Sequence, residues 1–479
     1  MCRVFSATVL ISTLLVVGLF HPIVVTVADD ADVPVSTVQP VSPHSGVVVW
    51  WGGGEVPTTV FERLETVDAN SAIAVVAGDK GISPELTGWC NATNHPVEVV
   101  RPDILQLKEK LLGFKTVWIE IKDLSPDSES IDHLLVSSEF LGESKPESLV
   151  AKLSSSPGRV GVGIPAGTAL IAKGRRLEVV GESNVDFCLP ASITRPGHRP
   201  TKLLRNKPGS EADLLELVRS AIARRGPEFP AKLPGLPEVP HGALLACGGG
   251  NLSDEIWQRF IDLAGGTDSP IVVIPIAQPN PDDANPKDLA KLKQLGCQRV
   301  KVLNQHTKAD VQSPEFVEAL KEARGVWFVG GRQWKYIDAY EGSSEHLFHD
   351  VLKRNGVIGG SSAGAAVQAE YMVRGSPLGN REIMAEGYER GLNFLSGCAI
   401  DIHVAERGRL KDLVSLVQTY PQLLGIGIDE DTAVEIQGSV MTVIGNRKVN
   451  IVDSRTQEPL PIKSGDRYHL VTRQLLPEK

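Results

Sequence analysis

The same succession of apolar segments and glycine turns occurs twice in this chain, and this internal repeat limits the folds that the chain can adopt. Residues 46–54 (GVVVWWGGG) and 242–250 (GALLACGGG) are each an apolar run that ends in three glycines. An amphipathic helix pattern follows both turns. Three further segments of the first copy, at 73–77, 116–119 and 161–169, have counterparts in the second copy at 271–274, 325–329 and 425–433. Buried strands alternating with amphipathic helices predict a mainly parallel, doubly wound sheet in each copy.

The two copies differ in length and in their polar residues. Their starts are offset by 196 residues and their ends by 264, so the first copy is shorter by about 68 residues. It has nothing like the small-residue turn at 360–364 of the second copy. Glu139 stands at the position of His403, and Ala166 stands at the position of Glu430. We therefore predict an α/β fold of two related doubly wound domains, the first truncated and without chemistry of its own.

Composition changes along the chain and suggests where the domains begin and end. An apolar run after Arg3 ends near Ala28, which is typical of a secretory signal peptide; an uncleaved membrane anchor is the alternative. We therefore expect a secreted or periplasmic protein, or one anchored by this segment. The predicted segments are a signal peptide (1–28), a flexible lead-in (29–45), a degenerate copy (46–191), a proline-rich linker with one helix (192–241) and a catalytic copy (242–479).

Charge and cysteine usage exclude several classes of function. The net charge is −9 and no dense run of lysine or arginine occurs, which argues against nucleic acid or an anionic membrane surface as a partner. The six cysteines are scattered without a C-x-x-C pair, so we expect no metal site, although one or two disulfides are open in an oxidising compartment. The chemistry considered below needs no metal and no organic cofactor.

The segment Gly360-Ser361-Ser362-Ala363-Gly364 fits the pattern G-x-S-x-G after a short apolar run. This spacing suits a serine on a sharp turn from a strand into a helix, because flanking glycines avoid a Cβ clash. The helix that follows offers free N–H groups to a developing oxyanion. The alternative is a glycine-rich loop that only packs a helix on a strand.

A serine nucleophile needs a base and a group that orients the base. His403 follows the apolar run Cys398-Ala399-Ile400, at a strand end where side chains are delivered to a site. Glu430 lies in an acidic triplet directly after the apolar residues 425–428, where burying unpaired carboxylates is costly. Asp429 and Asp431 are more typical of loop or cap residues.

Three ordered motifs resemble the cyanophycinase family: GGSSAGAA at 359–366, DIH at 401–403 with RGRL at 407–410, and GIGIDEDTA at 425–433. That family stands with dipeptidase E among the serine peptidases on a class I glutamine amidotransferase-like fold. The resemblance covers about residues 242–453. It implies hydrolysis of β-linked aspartyl peptides such as cyanophycin, a poly-aspartate backbone that bears arginines.

The resemblance also implies a role for individual residues. Ser362 would be the nucleophile, His403 the general base, and Glu430 the residue that orients His403. Ala363 and Gly331 would donate backbone N–H groups to the oxyanion. The substrate-binding residues would be Gln333, Asp401, Arg407 and Arg409.

Three positions depart from the family's pattern and leave the substrate open. Arg332 replaces an aspartate after the glycine pair, Ile402 replaces a glutamine before the histidine, and Asp412 replaces a third arginine. A dipeptidase E-like enzyme for short aspartyl peptides is one alternative, and a non-catalytic binding protein on the same fold is another. Because family members often pair through this fold, the first copy could replace a second subunit and make the chain a pseudo-dimer, or the chain could form a homodimer.

Overall fold

The computed structural model describes residues 46–64, 71–77, 81–101, 110–111, 113–121, 134–137, 153, 158–280, 282 and 287–477. These residues belong to one compact unit. The signal peptide predicted over 1–28, the lead-in over 29–45 and Glu139 lie outside the described residues, so these predictions stay predictions. No described helix is long and apolar enough to cross a bilayer.

The first half of the protein, residues 46–238, contains short strands and three helices among its described residues. Its strands are β1 Val47–Trp51, β2 Ile73–Val76, β3 Val97–Val100, β4 Thr116–Glu120, β5 Leu134–Ser137, β6 Val160–Gly163, β7 Thr168–Lys173, β8 Arg176–Gly181, β9 Val185–Leu189, β10 Lys202–Asn206 and β11 Glu211–Asp213. Its helices are α1 Thr58–Leu64, α2 Pro84–Thr93 and α3 Leu214–Ala223.

The second half, residues 239–477, carries the longer set of elements. Its strands are β12 Val239–Cys247, β13 Ile271–Ile274, β14 Val300–Val302, β15 Gly325–Phe328, β16 Val357–Ser361, β17 Ala369–Met372, β18 Leu395–Ile402, β19 Leu424–Ile428, β20 Thr432–Gly438, β21 Val440–Gly445, β22 Lys448–Asp453, β23 Leu460–Lys463, β24 Arg467–His469 and β25 Gln474–Leu476. Its helices are α4 Asp254–Ala264, α5 Lys287–Gln294, α6 Pro314–Glu322, α7 Trp334–Tyr340, α8 Glu345–Lys353, α9 Ala363–Ala366 and α10 Leu410–Thr419.

Each half contains two sheets, and the strand orders of the halves correspond. The first half has the orders β11-β8-β7-β1-β4-β2-β3 and β10-β9-β6-β5. The second half has the orders β25-β24-β21-β20-β12-β16-β15-β13-β14 and β23-β22-β19-β18-β17. Over the described ranges, the sheets of the second half therefore have the strand order of the first-half sheets with three additions. β16 is inserted in the larger sheet, β25 is added at the edge of the larger sheet, and β17 is added at the edge of the smaller one. The α/β fold class agrees with the prediction, and the first half has fewer described strands than the second.

The larger sheet of the second half is parallel only in part. Strands β14, β13, β15, β16 and β12 run parallel, whereas β20, β21, β24 and β25 continue the sheet as antiparallel neighbours. The parallel part is covered on both faces. Along β12, Leu244 and Ala246 join one apolar cluster, whereas Leu245 and Cys247 join another on the opposite face. This burial on both faces explains why residues 243–247 of β12 are continuously apolar rather than alternating.

The described cysteines outside the predicted signal peptide are buried and free. They are Cys90, Cys188, Cys247, Cys297 and Cys398. The part of the chain that the structure describes therefore contains none of the disulfides that the sequence allowed. The thiols act here as small apolar side chains in the core.

The structure differs from the predicted linker over residues 192–241. β10 pairs with β9 and β11 pairs with β8, so both strands complete sheets of the first half. Leu217 and Ile222 of α3 are buried in the core of the same half. Strands of three to five residues give little periodic signal, and the prolines and basic residues around them dominated the composition. The first half therefore extends well beyond residue 191.

Buried and half-buried arginines join the first half to the second. Arg175 donates from Nε to Asp213, 2.6 Å away, and from Nη1 to Asp338 of α7, also 2.6 Å away. Its guanidinium lies 4.2 Å from the ring centroid of Trp334. Arg219 and Arg224 make further cross-half ion pairs, with Glu341 and Glu386 at 2.6 Å each. These pairs hold α3 and the turn between β7 and β8 against α7 and the loop that contains Glu386.

We predict that Arg175→Gln lowers the free energy of unfolding by about 2–4 kcal/mol, because it leaves the buried Asp213 carboxylate without its bidentate partner. Urea denaturation measures this change. The matched control is Arg176→Gln, since the ion pair of Arg176 with Glu211 is solvent-exposed. The control should lose less than about 1 kcal/mol. Equal losses in the two variants would contradict the prediction.

Candidate active site

The site lies where the carboxyl ends of four strands of the second half meet. Ser362 directly follows β16, and His403 directly follows β18. Glu430 stands two residues after the end of β19, and a glycine turn at 248–250 follows β12. The pairings β12–β16 and β18–β19 are parallel, so each pair brings its carboxyl ends to one edge. This is where side chains of an open α/β sheet converge on a ligand.

Ser362 occupies a strained turn between β16 and α9. Its φ of 54° and ψ of −113° are unusual for a residue with a side chain, at a cost on the order of 1–3 kcal/mol. Its N–H donates to the carbonyl of Cys247 at 2.9 Å, which fixes the turn on β12. A Cβ on Gly360 would lie 2.4 Å from the Gly364 carbonyl oxygen, and one on Gly364 would lie 2.0 Å from that of Phe328. Both glycines of G-x-S-x-G are thus required for close backbone approach.

A hydroxyl, an imidazole and a carboxylate form one hydrogen-bonded series. Ser362 Oγ lies 2.8 Å from His403 Nε2, and His403 Nδ1 lies 2.6 Å from Glu430 Oε1. Because the carboxylate can only accept, the imidazole proton belongs on Nδ1, which leaves Nε2 free to accept from the hydroxyl. In this arrangement an imidazole can take the proton of a serine hydroxyl while a carboxylate stabilises the resulting imidazolium.

The imidazole is held in its neutral form. His403 is 5% exposed, and this burial lowers the pKa of its side chain below the ordinary value of 6.5. The hydrogen bond and charge of Glu430 raise the pKa, whereas Arg407 and Arg409 add to the lowering. Burial and the two arginines together outweigh the carboxylate. A neutral imidazole is the form that can accept a proton.

The glycine turn after β12 is built around these two side chains. A Cβ on Gly249 would lie 2.2 Å from His403 Cε1, and one on Gly250 would lie 2.7 Å from Glu430 Oε2. Sequence reasoning used this triplet as a repeat marker and gave it no place in the site. The signal was available, since glycines at a strand end often mark close approach. At the matching position of the first half, a Cβ on Gly53 would meet nothing within 4 Å.

The three acidic residues at 429–431 have different hydrogen-bond partners. Asp429 Oδ1 accepts the N–H of Ala405 at 3.0 Å, and Asp431 Oδ1 accepts the N–H of Ser253 at 2.8 Å. These two carboxylates hold neighbouring loops, as expected for loop and cap residues. Only Glu430 reaches the imidazole.

Two backbone segments predicted to bind an oxyanion flank the serine. A Cβ on Gly330 would lie 3.3 Å from Ser362 Cβ, so the turn after β15 packs directly against the serine. Gly331 follows in this turn, and a Cβ there would lie 2.2 Å from the Ala277 carbonyl oxygen. Ala363 opens α9, where a first-turn N–H has no intrahelical acceptor. Gly331 and Ala363 are therefore each next in sequence to a residue at this turn, and their role as oxyanion donors stays a prediction.

The predicted substrate-binding residues are mostly engaged inside the protein. Asp401 is fully buried and accepts two hydrogen bonds from Arg374, at 3.1 and 2.9 Å, so the prediction that it contacts substrate differs from the structure. Gln333 is buried and donates to the carbonyls of residues 373 and 374. Arg409 is buried and donates to the Ile402 carbonyl at 2.9 Å. Arg407 is exposed beside His403, and it remains accessible.

Arg374 was not found by sequence reasoning. Its guanidinium joins Asp401 to Asp412, 3.0 Å away, and also donates to the carbonyls of residues 380 and 381. The partners lie 27 and 38 residues away along the chain, so no local pattern connects them. Asp412, the position that departs from the family's arginine, is thus the partner of an arginine from another element.

The described ranges contain no group of three or more His, Cys, Asp or Glu side chains placed to hold a metal ion. The hydroxyl, imidazole and carboxylate described above are groups that can carry out proton transfer and nucleophilic attack. The arrangement resembles that of hydrolases which use an activated serine.

Comparison with known proteins places this site in a family. Residues 244–444 match the model of Peptidase family S51. A cyanophycinase of Geminocystis herdmanii is 29% identical over 245 residues, covering 46% of this chain and 89% of the relative. A cyanophycinase of Synechococcus elongatus is 30% identical over 263 residues, covering 49% and 81%. The crystal structure of a peptidase from an acI-B1 Actinobacterium, 20% identical, aligns at a TM-score of 0.38 over 48% of this chain and 97% of its own.

We predict that Gly249→Ala destabilises the protein by about 3 kcal/mol or more, since its Cβ would overlap the imidazole of His403 in addition to straining a φ of +106°. Gly53→Ala is the matched control, because its φ is +96° and the space around it is open. The control should cost about 1–2 kcal/mol from backbone strain alone. Thermal and urea unfolding measure both. A control that loses as much as Gly249→Ala would show that the imidazole plays no part.

Proposed function

The chain belongs to peptidase family S51 and is a serine peptidase, and on this premise we propose that Ser362 is its nucleophile, His403 its general base and Glu430 the residue that orients the base. The observation that carries the proposal is the hydrogen-bonded series, with 2.8 Å from Ser362 Oγ to His403 Nε2 and 2.6 Å from His403 Nδ1 to Glu430 Oε1. Both distances lie within the range expected for a nucleophile and its base.

The proposed reaction begins when His403 Nε2 takes the proton of the Ser362 hydroxyl as Oγ attacks the carbonyl carbon of the substrate. The carbonyl oxygen becomes an oxyanion, which the N–H groups of Gly331 and Ala363 stabilise. His403 then gives the proton to the leaving amine, and an acyl-enzyme remains on Ser362. Water, deprotonated by the same imidazole, releases the acid and restores the serine. Glu430 keeps the imidazole in the required tautomer throughout.

We propose that the substrate is cyanophycin or another β-aspartyl peptide rich in aspartate and arginine. The relatives named above carry the name cyanophycinase, and the exposed Arg407 beside His403 suits a substrate carboxylate. A dipeptidase E-like activity on short aspartyl peptides is the second candidate. It is favoured by the changed recognition positions Arg332, Ile402 and Asp412, and a panel of polymer against dipeptides separates the two.

We propose that the first half is a non-catalytic companion of the second, derived by duplication of one domain. Among its described residues no strand corresponds to β16, so it lacks the element that would carry a serine. The arginine pairs of α3 hold it against the second half, which supports a pseudo-dimer within one chain. We further propose export from the cytoplasm through the signal peptide at residues 1–28, or anchoring by that segment.

We expect Ser362→Ala to lower turnover by a factor on the order of 10⁶, because the nucleophile is removed while the fold is kept. The assay is release of soluble peptides from insoluble cyanophycin, identified by mass, with β-aspartyl dipeptides in parallel. Ser361→Ala, one residue earlier, is the control and should keep turnover within about tenfold of the native protein. Full hydrolysis by Ser362→Ala would reject the proposed mechanism.

The pH dependence follows from the lowered pKa of His403. The base works only when neutral, so activity should rise as the pH increases through the pKa of His403 and then level off. Because burial lowers that pKa, the midpoint of the rise should lie below 6.5. The profile of kcat/KM between pH 4.5 and 8 measures it. A midpoint above 6.5 would contradict the neutral, buried imidazole.

A further inference from the structure

A cavity of about 640 Å³ lies between the two halves of the protein. Its wall from the first half includes Glu216 and Leu217 of α3 together with residues of β9, β10 and β11. Its wall from the second half includes Arg332 and most of the loop at residues 376–382. Neither half encloses this space alone. The arginine pairs described above therefore also maintain the cavity.

Arg332 connects this cavity with the active site. It follows the glycine pair that packs against Ser362, and its guanidinium donates to the carbonyl of Ser376 in the cavity wall. Two residues of chain extend at most about 7 Å, so the backbone of Arg332 lies within about 10 Å of the serine, and its side chain extends from there to the cavity wall. About three residues of an extended substrate span the distance from the serine to Arg332. A peptide held at Ser362 that continues past Arg332 would approach the cavity.

Only some of the carboxylates that line the cavity form ion pairs with a cationic side chain. Glu386 is paired with Arg224, and Glu211 is paired with Arg176. By contrast, Glu216 has no lysine, arginine or histidine within ion-pair distance among the described residues. The same holds for Glu382, which lies at the exposed rim. Glu216 and Glu382 therefore lack a direct ion pair, although Lys202, Arg332 and Arg381 also line the cavity and the charge of Arg332 acts on Glu216 from a greater distance.

Glu216 is the more buried of these two carboxylates. Burial raises the pKa of its side chain to about 7, and the negative charges of Asp213 and Glu382 act in the same direction. A hydrogen bond with Ser376 and the more distant charge of Arg175 lower it. A carboxylate in such a place is costly to ionise without a cation beside it. A cationic ligand group would lower that cost.

We propose that this cavity is a substrate subsite in which Glu216 of the first half receives a cationic side chain, a guanidinium or an ammonium group, a few residues from the bond cut at Ser362. This rests on the proposed function of the second half. It gives the first half a role in specificity, because α3 supplies the carboxylate. Arg332 holds the opposing loop through Ser376 and links the subsite to the turn beside the serine.

The test uses pairs of aspartyl peptides that are identical except for one residue, arginine or its neutral isostere citrulline, placed within four residues of the aspartyl bond. Binding to the full-length Ser362→Ala variant is measured by calorimetry. We expect the arginine peptide to bind at least about tenfold more tightly, as for a charge-assisted hydrogen bond. Adding Glu216→Gln should remove this preference, and Glu216→Asp should keep part of it. Glu255→Gln, an exposed change on α4, is the matched control and should leave it intact.

The second experiment measures hydrolysis of the same peptide pairs by the native protein. The ratio of kcat/KM for the arginine peptide to that for the citrulline peptide should exceed about ten through KM, and should fall near one in Glu216→Gln. The ratio should rise between pH 6 and 8, as Glu216 ionises, and be flat in that variant. The titration of His403 cancels in the ratio. Groups facing Glu216, namely Asp213, Arg175, Glu382 and Arg332, stay unchanged in this comparison.

The outcomes separate the two proposals. Equal binding of both peptides, or a preference that survives Glu216→Gln, overturns the subsite even if both peptides are cleaved. A binding preference that depends on Glu216, without cleavage by the native protein, supports the subsite and rejects the proposed hydrolysis. Preference and cleavage together support both.

Discussion

The parallel pairing of β16 between β12 and β15 is the constraint on which the site depends. In the first half, β1 pairs directly with β4, and Trp51 stands opposite Glu120. In the second half the same two neighbours are separated by β16, whose last residue, Ser361, stands opposite Cys247. This places Ser362 on the edge formed by the glycine turn. Without the inserted strand the frame persists, but it offers no place for a serine.

Close backbone approach then sets the geometry of the polar groups. Gly360 and Gly364 let the turn of Ser362 pack against β15, and Gly249 leaves room for the imidazole of His403. A side chain at any of these glycines would occupy the space of a backbone or ring atom. The strained φ of Ser362 is held because the neighbouring strands fix both sides of the turn. Burial of the imidazole follows from the same close packing and keeps it neutral.

The first half is best understood through its contacts with the second. Ion pairs of Arg175, Arg219 and Arg224 join α3 to loops of the second half. Desolvation offsets much of the attraction in such partly buried pairs, so what they show most directly is which residues face each other across the interface. Fixing α3 in one orientation also fixes Glu216 in the wall of the cavity. The first half, in which no described strand corresponds to β16, thus supplies one wall of the cavity.

Local patterns in the sequence indicated the fold class and, together with the resemblance of three motifs to a family, three polar residues of the site. The repeat of apolar runs and glycine turns predicted two α/β copies, because parallel strands that are buried on both faces consist of continuous apolar residues. Ser362, His403 and Glu430 each follow a strand end, where the carboxyl ends of parallel strands meet, and the family resemblance grouped them as one set. These features depend on neighbours in the chain, which a sequence displays directly.

Contacts between distant residues were decided only by the tertiary structure. The burial of Asp401 depends on Arg374, which lies 27 residues away, and the assignment of residues 192–241 depended on pairing with β8 and β9. The place of Gly249 against the imidazole depends on a residue more than 150 positions later. The sequence by itself determined the repeated α/β frame and which residues could form the site. The tertiary structure decided which charges are paired internally and which remain free, because pairing depends on distances in space that no local pattern contains.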